Sequence, residues 1–262
     1  MSLLLKNGFV IDSANAFEGI ADILIENGVI AKCEPNIADN AEQVIDCVGL
    51  AVIPGICDMH VHFRDPGQTH KEDIVTGGNA AAAGGVTAVA CMPNTSPVVD
   101  NAETVKLILE KAKNATVKVY PVGCITKGLK GEELCDFDEL KKAGCVAVSD
   151  DGKPVKNARI MAQALVKAHY AGLKVISHCE DQEVVAGGII NSGEVSKELG
   201  VSGMHRISED ISTAREIILA RDLEMPIHIA HVSTATSMTL LRVAARYGIM
   251  VTSETCPHYF SL

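Results

Sequence analysis

From residue 51 onward, the sequence alternates between short apolar runs that end in polar residues and longer stretches with helical periodicity. Strand followed by helix, repeated in this way, is typical of βα units around a parallel sheet. The seven apolar runs lie at residues 51–63, 86–94, 117–125, 145–151, 173–180, 225–233 and 249–259. The pattern therefore predicts the α/β class, with a (β/α)8 TIM-type barrel represented by about seven strands.

Residues 1–50 have a different pattern, in which short alternating runs are separated by Asn-Gly turns at Asn7-Gly8 and Asn27-Gly28. Alternation with such turns is typical of antiparallel strands. We therefore predict two domains: a small antiparallel β-sandwich module at 1–50, and a barrel at 51–262 that lacks its final βα unit.

Three segments between the apolar runs have helical spacing. The first is predicted to begin after Asp100, with Glu103 placed as in a capping box. The other two are predicted to end at Gly172 and Gly248, because glycine readily adopts the left-handed conformation that ends a helix.

Composition argues against several classes of function. The formal net charge of −10, with no cluster of basic residues, disfavours nucleic acid as a partner. No signal peptide or membrane-length apolar run is visible, which predicts a cytoplasmic protein with no membrane partner. The nine cysteines are scattered and odd in number, so we interpret them as reduced thiols, including Cys179, for which a ligand or nucleophile role is the alternative.

The first barrel run ends with two histidines, His60 and His62, which lie two residues apart. On a strand this spacing directs both side chains to the same face, where they can bind one metal ion. The motif alone is weak, because two unrelated core or surface histidines would have the same spacing.

Further ligand types follow other apolar runs, at Asp151, His178 and His231. A barrel brings the carboxyl ends of its strands to one rim, so residues distant in sequence meet there. Several histidines with a carboxylate suit Zn²⁺ or a similar ion. The sequence therefore predicts a metal site at this rim.

Two polar residues near these runs are candidates for substrate binding. Arg64, two residues after His62, presents a planar guanidinium that can hold a carboxylate through two hydrogen bonds, although a salt bridge with Asp65 is the alternative. Asn94 follows the second run, where its alternative role is that of a turn residue after Pro93.

Six segments together resemble the dihydroorotases of the amidohydrolase superfamily, and the resemblance extends through nearly the whole chain. They are HVHFRDPG, CMPNT, SDDG, SHCED, IAHVST and ETCPHY. The resemblance implies reversible hydrolysis of the cyclic amide of dihydroorotate to N-carbamoylaspartate, in pyrimidine biosynthesis. It also implies a metal-binding barrel accompanied by a small β module.

The resemblance implies two Zn²⁺ ions per full-length chain. His60 and His62 would bind one ion, His178 and His231 the other, and Asp151 would bridge both, in place of the carboxylated lysine of other superfamily members. Strand register favours Asp151 over Asp150 as the bridging residue, because neighbours on a strand face opposite ways. The implied substrate-binding residues are His62, Arg64 and Asn94.

In this family the eighth strand carries an aspartate that binds metal and transfers the proton to the leaving nitrogen. No catalytic residue of that kind is expected before Leu262, so we expect a chain of this extent to bind metal weakly and to show no turnover. Supporting or capping roles are expected for Asp58, Asp65, Glu180, Glu254 and His258. No partner at the site is expected for His70, His169, His205 and His228.

Two alternative functions remain open. One is another cyclic amidohydrolase, such as an allantoinase or dihydropyrimidinase, although Arg64 favours a substrate with a carboxylate. The other is a noncatalytic dihydroorotase-like scaffold subunit that assembles with aspartate transcarbamoylase. The expected partners are a small-molecule substrate and further copies of the chain in a homo-oligomer, with aspartate transcarbamoylase as a further candidate.

Overall fold

The computed structural model describes residues 1–261, which fall into two compact units, one at Met1–Ile56 and one that begins at Cys57. The boundary predicted at residue 50 lies within the first unit. Among residues 1–261, no helix has both the length and the apolar character needed to cross a bilayer.

The first unit contains one mixed sheet. Its strands are β1 Ser2–Asp12, β2 Phe17–Glu26, β3 Val29–Glu34, β4 Gln43–Asp46 and β5 Ala51–Val52, with a 3₁₀ turn at Ser13–Asn15. The order is β3-β2-β1-β4, and β5 also pairs with β1. Only β1, β2 and β3 pair antiparallel, whereas β4 and β5 run parallel to β1.

The prediction of an antiparallel module was therefore wrong for the last two strands. Tight turns reverse the chain between the first three strands, but residues 35–42 cross back before β4 begins. Small apolar clusters hold this sheet, one around Leu4, Leu24 and Ile37, and another around Val10 and Ile23.

The second unit alternates strands and helices along the chain. Its elements are β6 Ile56–Val61, α1 Ile74–Ala83, β7 Val86–Cys91, α2 Ala102–Ala112, β8 Lys118–Gly123, a 3₁₀ turn at Lys127–Leu129, α3 Phe137–Ala143, β9 Ala147–Val148, α4 Ala158–Tyr170, β10 Lys174–Ser177, α5 Gln182–Val185, β11 Ile190–Asn191, α6 Glu194–Glu198, β12 Gly203–Met204, α7 Ile207–Leu223, β13 Ile227–Ile229, α8 Ala235–Arg246, β14 Val251–Ser253 and α9 His258–Ser261.

Seven of these strands form one sheet in the order β14-β13-β10-β9-β8-β7-β6, so each predicted apolar run contributes one strand. The pairs from β7 through to β14 are parallel. The remaining two strands, β11 and β12, pair with each other in the segment between β10 and α7. The predicted fold, seven strands of a (β/α)8 barrel with an N-terminal β module, is confirmed.

The two faces of the seven-stranded sheet bury different side chains. Val89, Val175 and Ile229 belong to the larger apolar core, together with residues of the surrounding helices. The alternate residues Ile176 and Ala230 pack in a smaller cluster on the opposite face. This alternation follows from the two-residue period of a strand, and it leaves the carboxyl ends of the strands free to carry polar groups.

The helix ends follow ordinary capping chemistry. Asn101 caps α2, because its side-chain oxygen accepts the backbone N–H of Thr104 at 3.0 Å. The predicted start after Asp100, with a capping box, was wrong by one residue, since the Asp100 carboxylate accepts the N–H of Gly128 instead. The ends predicted for α4 and α8 are confirmed: Gly172 and Gly248 both have a φ of +71°.

Candidate metal and substrate site

Four strands of the barrel bring histidines and an aspartate to one rim. His60 is the penultimate residue of β6 and His62 directly follows that strand, while Asp151 lies three residues after β9. His178 follows β10, and His231 lies two residues after β13. Because neighbouring parallel strands end at the same edge, these residues converge from positions up to 171 apart in sequence (231 − 60).

Asp151 is at the centre of this cluster. Its Oδ1 lies 3.3 Å from His60 Nε2, and its Oδ2 lies 3.4 Å from His62 Nε2. The nearest nitrogens of His178 and His231 lie 3.9 and 3.8 Å from Oδ1. The structure therefore brings together all five residues that the sequence suggests as metal ligands.

The neighbouring aspartate, Asp150, is directed away from the histidines. Its Oδ1 accepts the backbone N–H groups of Ile125 and Thr126 at 2.8 and 3.0 Å, and its Oδ2 accepts the Thr126 hydroxyl. Burial raises the pKa of Asp150 to about 6, although these hydrogen bonds oppose the shift. Asp150 thus fastens the loop after β8, and Asp151 alone faces the cluster.

The first two histidines each have an oxygen against Nδ1. His62 Nδ1 lies 3.0 Å from Asn94 Oδ1, and His60 Nδ1 lies 2.7 Å from Glu254 Oε1. Since a carboxylate can only accept, His60 donates from Nδ1 to Glu254. In both residues Nε2 faces Asp151, so both are oriented for ligation through the same ring atom.

The other two histidines contact each other directly. His178 Nδ1 lies 2.7 Å from His231 Nε2, and their ring centroids are 4.7 Å apart. On the far side of its ring, His178 Nε2 lies 3.3 Å from Glu180 Oε2. His231 also has a positive φ of 37°, which is unusual for a residue with a side chain and places strain at the rim.

Charge coupling within the cluster is strong. Burial alone would lower the pKa of His60, but hydrogen bonds with Asp151 and Glu254 outweigh burial and raise this pKa to about 9. Burial opposes the ionisation of Glu254, yet His228 and His60 lower its pKa to about 2. Burial also opposes the ionisation of Asp151. Hydrogen bonds from His231 and His60 outweigh this effect, so the pKa of Asp151 falls well below its usual range.

These residues fit a divalent metal ion. One ligand atom from each of His60, Asp151 and His231 lies within 4.8 Å of the other two, and His62 and His178 border the same carboxylate. Imidazole nitrogens with a buried carboxylate are the donor set that Zn²⁺ and similar ions prefer.

Arg64 lies beside the cluster in the loop after β6. Burial lowers the pKa of His62, the charge of Asp151 opposes this shift, and the positive charge of Arg64 adds to it. The salt bridge considered between Arg64 and Asp65 is absent among the described residues, because Asp65 pairs with Lys111 on α2. Within residues 1–261, the Arg64 guanidinium has no hydrogen-bond or ion-pair partner.

The loop after β6 is fastened to the loop after β7. The Ser96 N–H donates to the Pro66 carbonyl at 3.0 Å, and the Gln68 amide donates to the Asn94 carbonyl at 3.1 Å. Gly67 has a φ of +86°, and a Cβ there would lie 1.8 Å from the Ser96 carbonyl oxygen. Glycine is therefore required where these two loops cross.

Asn94 contacts two of the candidate ligands rather than standing free. Besides its contact with His62, its Nδ2 donates to Asp151 Oδ2 at 3.2 Å. This arrangement fixes the orientation of the Asn94 amide, with oxygen toward His62 and nitrogen toward Asp151.

The other polar residues near the strand ends have varied surroundings. Asp58 accepts the backbone N–H of His60 at 3.0 Å, and the ring of His258 packs against Tyr259. Cys179 is buried, and burial raises its pKa to about 12, which opposes a role as a nucleophile.

His228 is the residue near the site that the sequence interpretation missed. It is buried, its Nδ1 lies 2.8 Å from the Thr252 hydroxyl, and its Nε2 lies 3.4 Å from Glu254 Oε2. A signal was available: His228 lies between Ile227 and Ile229, which pack against the helices, so alternation directs His228 to the inner face.

Sequence comparison identifies relatives over the whole chain. A profile of the family described as Dihydro-orotase-like matches residues 49–237. Proteins named Dihydroorotase from Citrifermentans bemidjiense and Geobacter sulfurreducens are each 52% identical over 100% of this chain. One from Acetivibrio thermocellus is 49% identical over 99% of it. The chain spans 61 to 62% of the length of these relatives.

Comparison of structures identifies the same fold. L-hydantoinase (dihydropyrimidinase) from Arthrobacter aurescens superposes with a TM-score of 0.82 at 21% identity, covering 99% of this chain and 59% of that protein. Dihydropyrimidinase from Brevibacillus agri gives a TM-score of 0.79 at 22% identity, covering 100% and 59%. At these identities the likeness concerns the fold alone.

Proposed function

The chain belongs to the dihydroorotase-like family, and from this premise we propose that the protein is a dihydroorotase. It interconverts dihydroorotate and N-carbamoylaspartate by hydrolysis and closure of a cyclic amide. The observation that carries the proposal is the position of Asp151 among four histidines, with the unpaired guanidinium of Arg64 beside them. Relatives about half identical along the whole chain carry the name Dihydroorotase, which supports the same reading.

The proposal includes two Zn²⁺ ions per full-length chain. His60 and His62 would hold one ion, His178 and His231 would hold the other, and Asp151 would be a ligand of both. When bound, such ions supply a nucleophile at neutral pH by acidifying water, and they polarise the amide carbonyl. Support comes from the convergence of four histidines on the Asp151 carboxylate and from the low pKa of Asp151, which keeps it ionised.

The substrate is held by its carboxylate. Dihydroorotate carries this group beside the ring, and Arg64 offers two parallel N–H donors to it. Because Lys111 already pairs with Asp65, the guanidinium of Arg64 is available for an external anion. The charge of Arg64 lies near enough to affect His62, which supports an anion subsite next to the metal ligands.

Two further residues prepare the site. The side-chain amide of Asn94 holds both His62 and Asp151. We also propose that Asn94 contacts the substrate carboxylate, as the family resemblance implies. Asp150 secures the loop after β8 to the segment that follows β9, so hydrogen bonds restrain the residue next to the proposed bridging carboxylate.

A substrate panel tests the proposal. The protein is expressed from its complete reading frame, loaded with zinc, and assayed with dihydroorotate, N-carbamoylaspartate, dihydrouracil, hydantoin and allantoin. We expect turnover of the first two compounds, with kcat/KM at least about 100-fold above that for the rings without a carboxylate, because a site built around a charged group discriminates strongly against its absence. Preference for dihydrouracil or hydantoin would show a different cyclic amidohydrolase.

Elemental analysis of the same preparation tests the metal site separately. Two ions per chain are expected after preparation without chelators. Full metal content without turnover of any ring would contradict the enzymatic proposal and favour a noncatalytic role. Less than one ion per chain, unchanged by added zinc, would contradict the metal site.

A further inference from the structure

Glu254 joins the two edge strands of the barrel sheet. It directly follows β14, the strand at one end of the seven-stranded order, whereas His60 belongs to β6 at the other end. The contact between Glu254 Oε1 and His60 Nδ1 is 2.7 Å long and links residues 194 positions apart. A side-chain hydrogen bond therefore connects the first and last strands at the rim that carries the metal ligands.

The second oxygen of Glu254 faces His228. Its Oε2 lies 3.4 Å from His228 Nε2, a buried nitrogen that has no hydrogen-bond partner among the described residues. The other ring nitrogen, Nδ1, is held by the Thr252 hydroxyl at 2.8 Å. His228 is 7% exposed, so its ring is fixed in place and its unpaired nitrogen is directed toward the carboxylate.

We propose that Glu254 is a positioning residue for His60, with His228 as the side chain that fixes Glu254. Glu254 accepts the Nδ1 proton of His60 and thereby keeps Nε2, the atom that faces Asp151, as the ligating nitrogen. This inference rests on the metal site of the proposed function. It adds a carboxylate and a histidine to that site, neither of which is itself a metal ligand.

The physical reason is the choice of tautomer. A neutral imidazole carries its proton on either ring nitrogen, and only the nitrogen without the proton can bind a metal ion. A carboxylate against Nδ1 selects the form with Nε2 free, and it also raises the basicity of that nitrogen. His62 obtains a weaker version of the same support from the neutral amide of Asn94.

Stepwise metal binding of the complete protein tests this inference. Zinc affinity is measured by competition with a chelator for the wild type and for Glu254→Ala, Glu254→Gln and His228→Asn. We expect Glu254→Ala to lower the affinity for one of the two ions by about 10- to 100-fold and to change the affinity for the other by no more than about threefold. Glu254→Gln keeps an oxygen that accepts from Nδ1, so it should restore part of the lost affinity.

The matched control is Glu133→Ala. Glu133 pairs with Lys127 at 2.5 Å, and within residues 1–261 its carboxylate pairs with no histidine, so removal of this charge should leave both zinc affinities unchanged. His228→Asn leaves the contact between Glu254 and His60 in place and should weaken the same ion by a smaller factor. His228→Asn therefore still tests the positioning role if Glu254→Ala does not fold.

The outcomes separate the two proposals. Two ions in the wild type and equal affinities in Glu254→Ala would overturn the positioning role while leaving the proposed function intact. Equal weakening of both ions, with no recovery in Glu254→Gln, would show a general structural effect and would also overturn it. A wild-type protein that binds no ion would overturn the metal site and this inference together.

Discussion

The two halves of the histidine cluster are organised in different ways. On the side of β6, His60 and His62 each have Nδ1 against an oxygen, from Glu254 and Asn94, so that both Nε2 atoms face Asp151. On the side of β10 and β13, His178 and His231 contact each other through ring nitrogens 2.7 Å apart. In the first half, an oxygen holds the nitrogen of each histidine that faces away from Asp151. In the second half, among the described residues, only His178 has such an oxygen, from Glu180.

This difference shows that similar residues at equivalent strand ends need not be equally prepared. A ligand whose second nitrogen is held keeps its orientation without the metal, so less ordering accompanies binding. We therefore expect the ion of the β6 side to bind more tightly than the ion of the β10 and β13 side.

Asp151→Asn should abolish metal binding in both halves of the histidine cluster. All four histidines lie within 4 Å of the Asp151 carboxylate, and a neutral amide cannot balance two divalent ions. We expect loss of both ions by elemental analysis and a fall in kcat/KM of about 1,000-fold or more, because the metal contribution amounts to several kcal/mol.

The neighbouring substitution Asp150→Asn is the control for that prediction. Asp150 accepts two backbone N–H groups and faces away from the histidines, so its loss should lower the free energy of unfolding by about 1 to 3 kcal/mol. Metal content at saturating zinc should remain that of the wild type. Loss of both ions in Asp150→Asn would show that the two aspartates have been assigned the wrong way round.

His62→Ala and His231→Ala test whether the two halves are independent. Each variant should lose one ion and keep the other, and the ion kept by His231→Ala should have the higher affinity. Titration with zinc and elemental analysis measure both quantities. One ligand atom each of His60, Asp151 and His231 lies within 4.8 Å of the others. Loss of the tighter ion in His231→Ala would therefore mean that these three residues hold that ion, rather than His60 with His62.

Arg64→Met should weaken substrate binding on the β6 side without changing the metal content. The lost charge-assisted pair is worth about 2 to 4 kcal/mol when desolvated, which corresponds to an increase in KM for dihydroorotate of about 30- to 1,000-fold. Metal content should not change. Steady-state kinetics check this, with Lys111→Met as a comparison, because that variant frees Asp65 and should raise KM less.

Among the substitutions expected to weaken zinc binding, Asn94→Ala should have the smallest effect. It removes a neutral acceptor from His62 Nδ1, and we expect zinc to bind about tenfold more weakly on the β6 side. The same variant distinguishes two roles for Asn94. A rise in KM at saturating zinc would support contact with the substrate carboxylate, whereas a change in zinc affinity alone would restrict Asn94 to orienting His62 and Asp151.

Much of the fold could be predicted from local patterns. The seven apolar runs became the seven strands of the sheet, and Gly172 and Gly248 end their helices, because burial and backbone conformation act over a few residues at a time. The start of α2 was misplaced because the Asp100 carboxylate is occupied by a distant N–H, that of Gly128. The direction of β4 and β5 was missed because it depends on how the chain crosses back rather than on their own residues.

The sequence by itself determined which residues reach the rim: polar residues after apolar strands converge there in any barrel of this topology. The tertiary structure alone decided how they are paired. Only its packing directs Asp150 to Thr126 and Asp151 to the histidines, and sets Glu254 between His60 and His228. Strand patterns specify the face on which a side chain lies, but hydrogen-bond partners are fixed at distances near 3 Å, which depend on the relative positions of strands far apart in sequence.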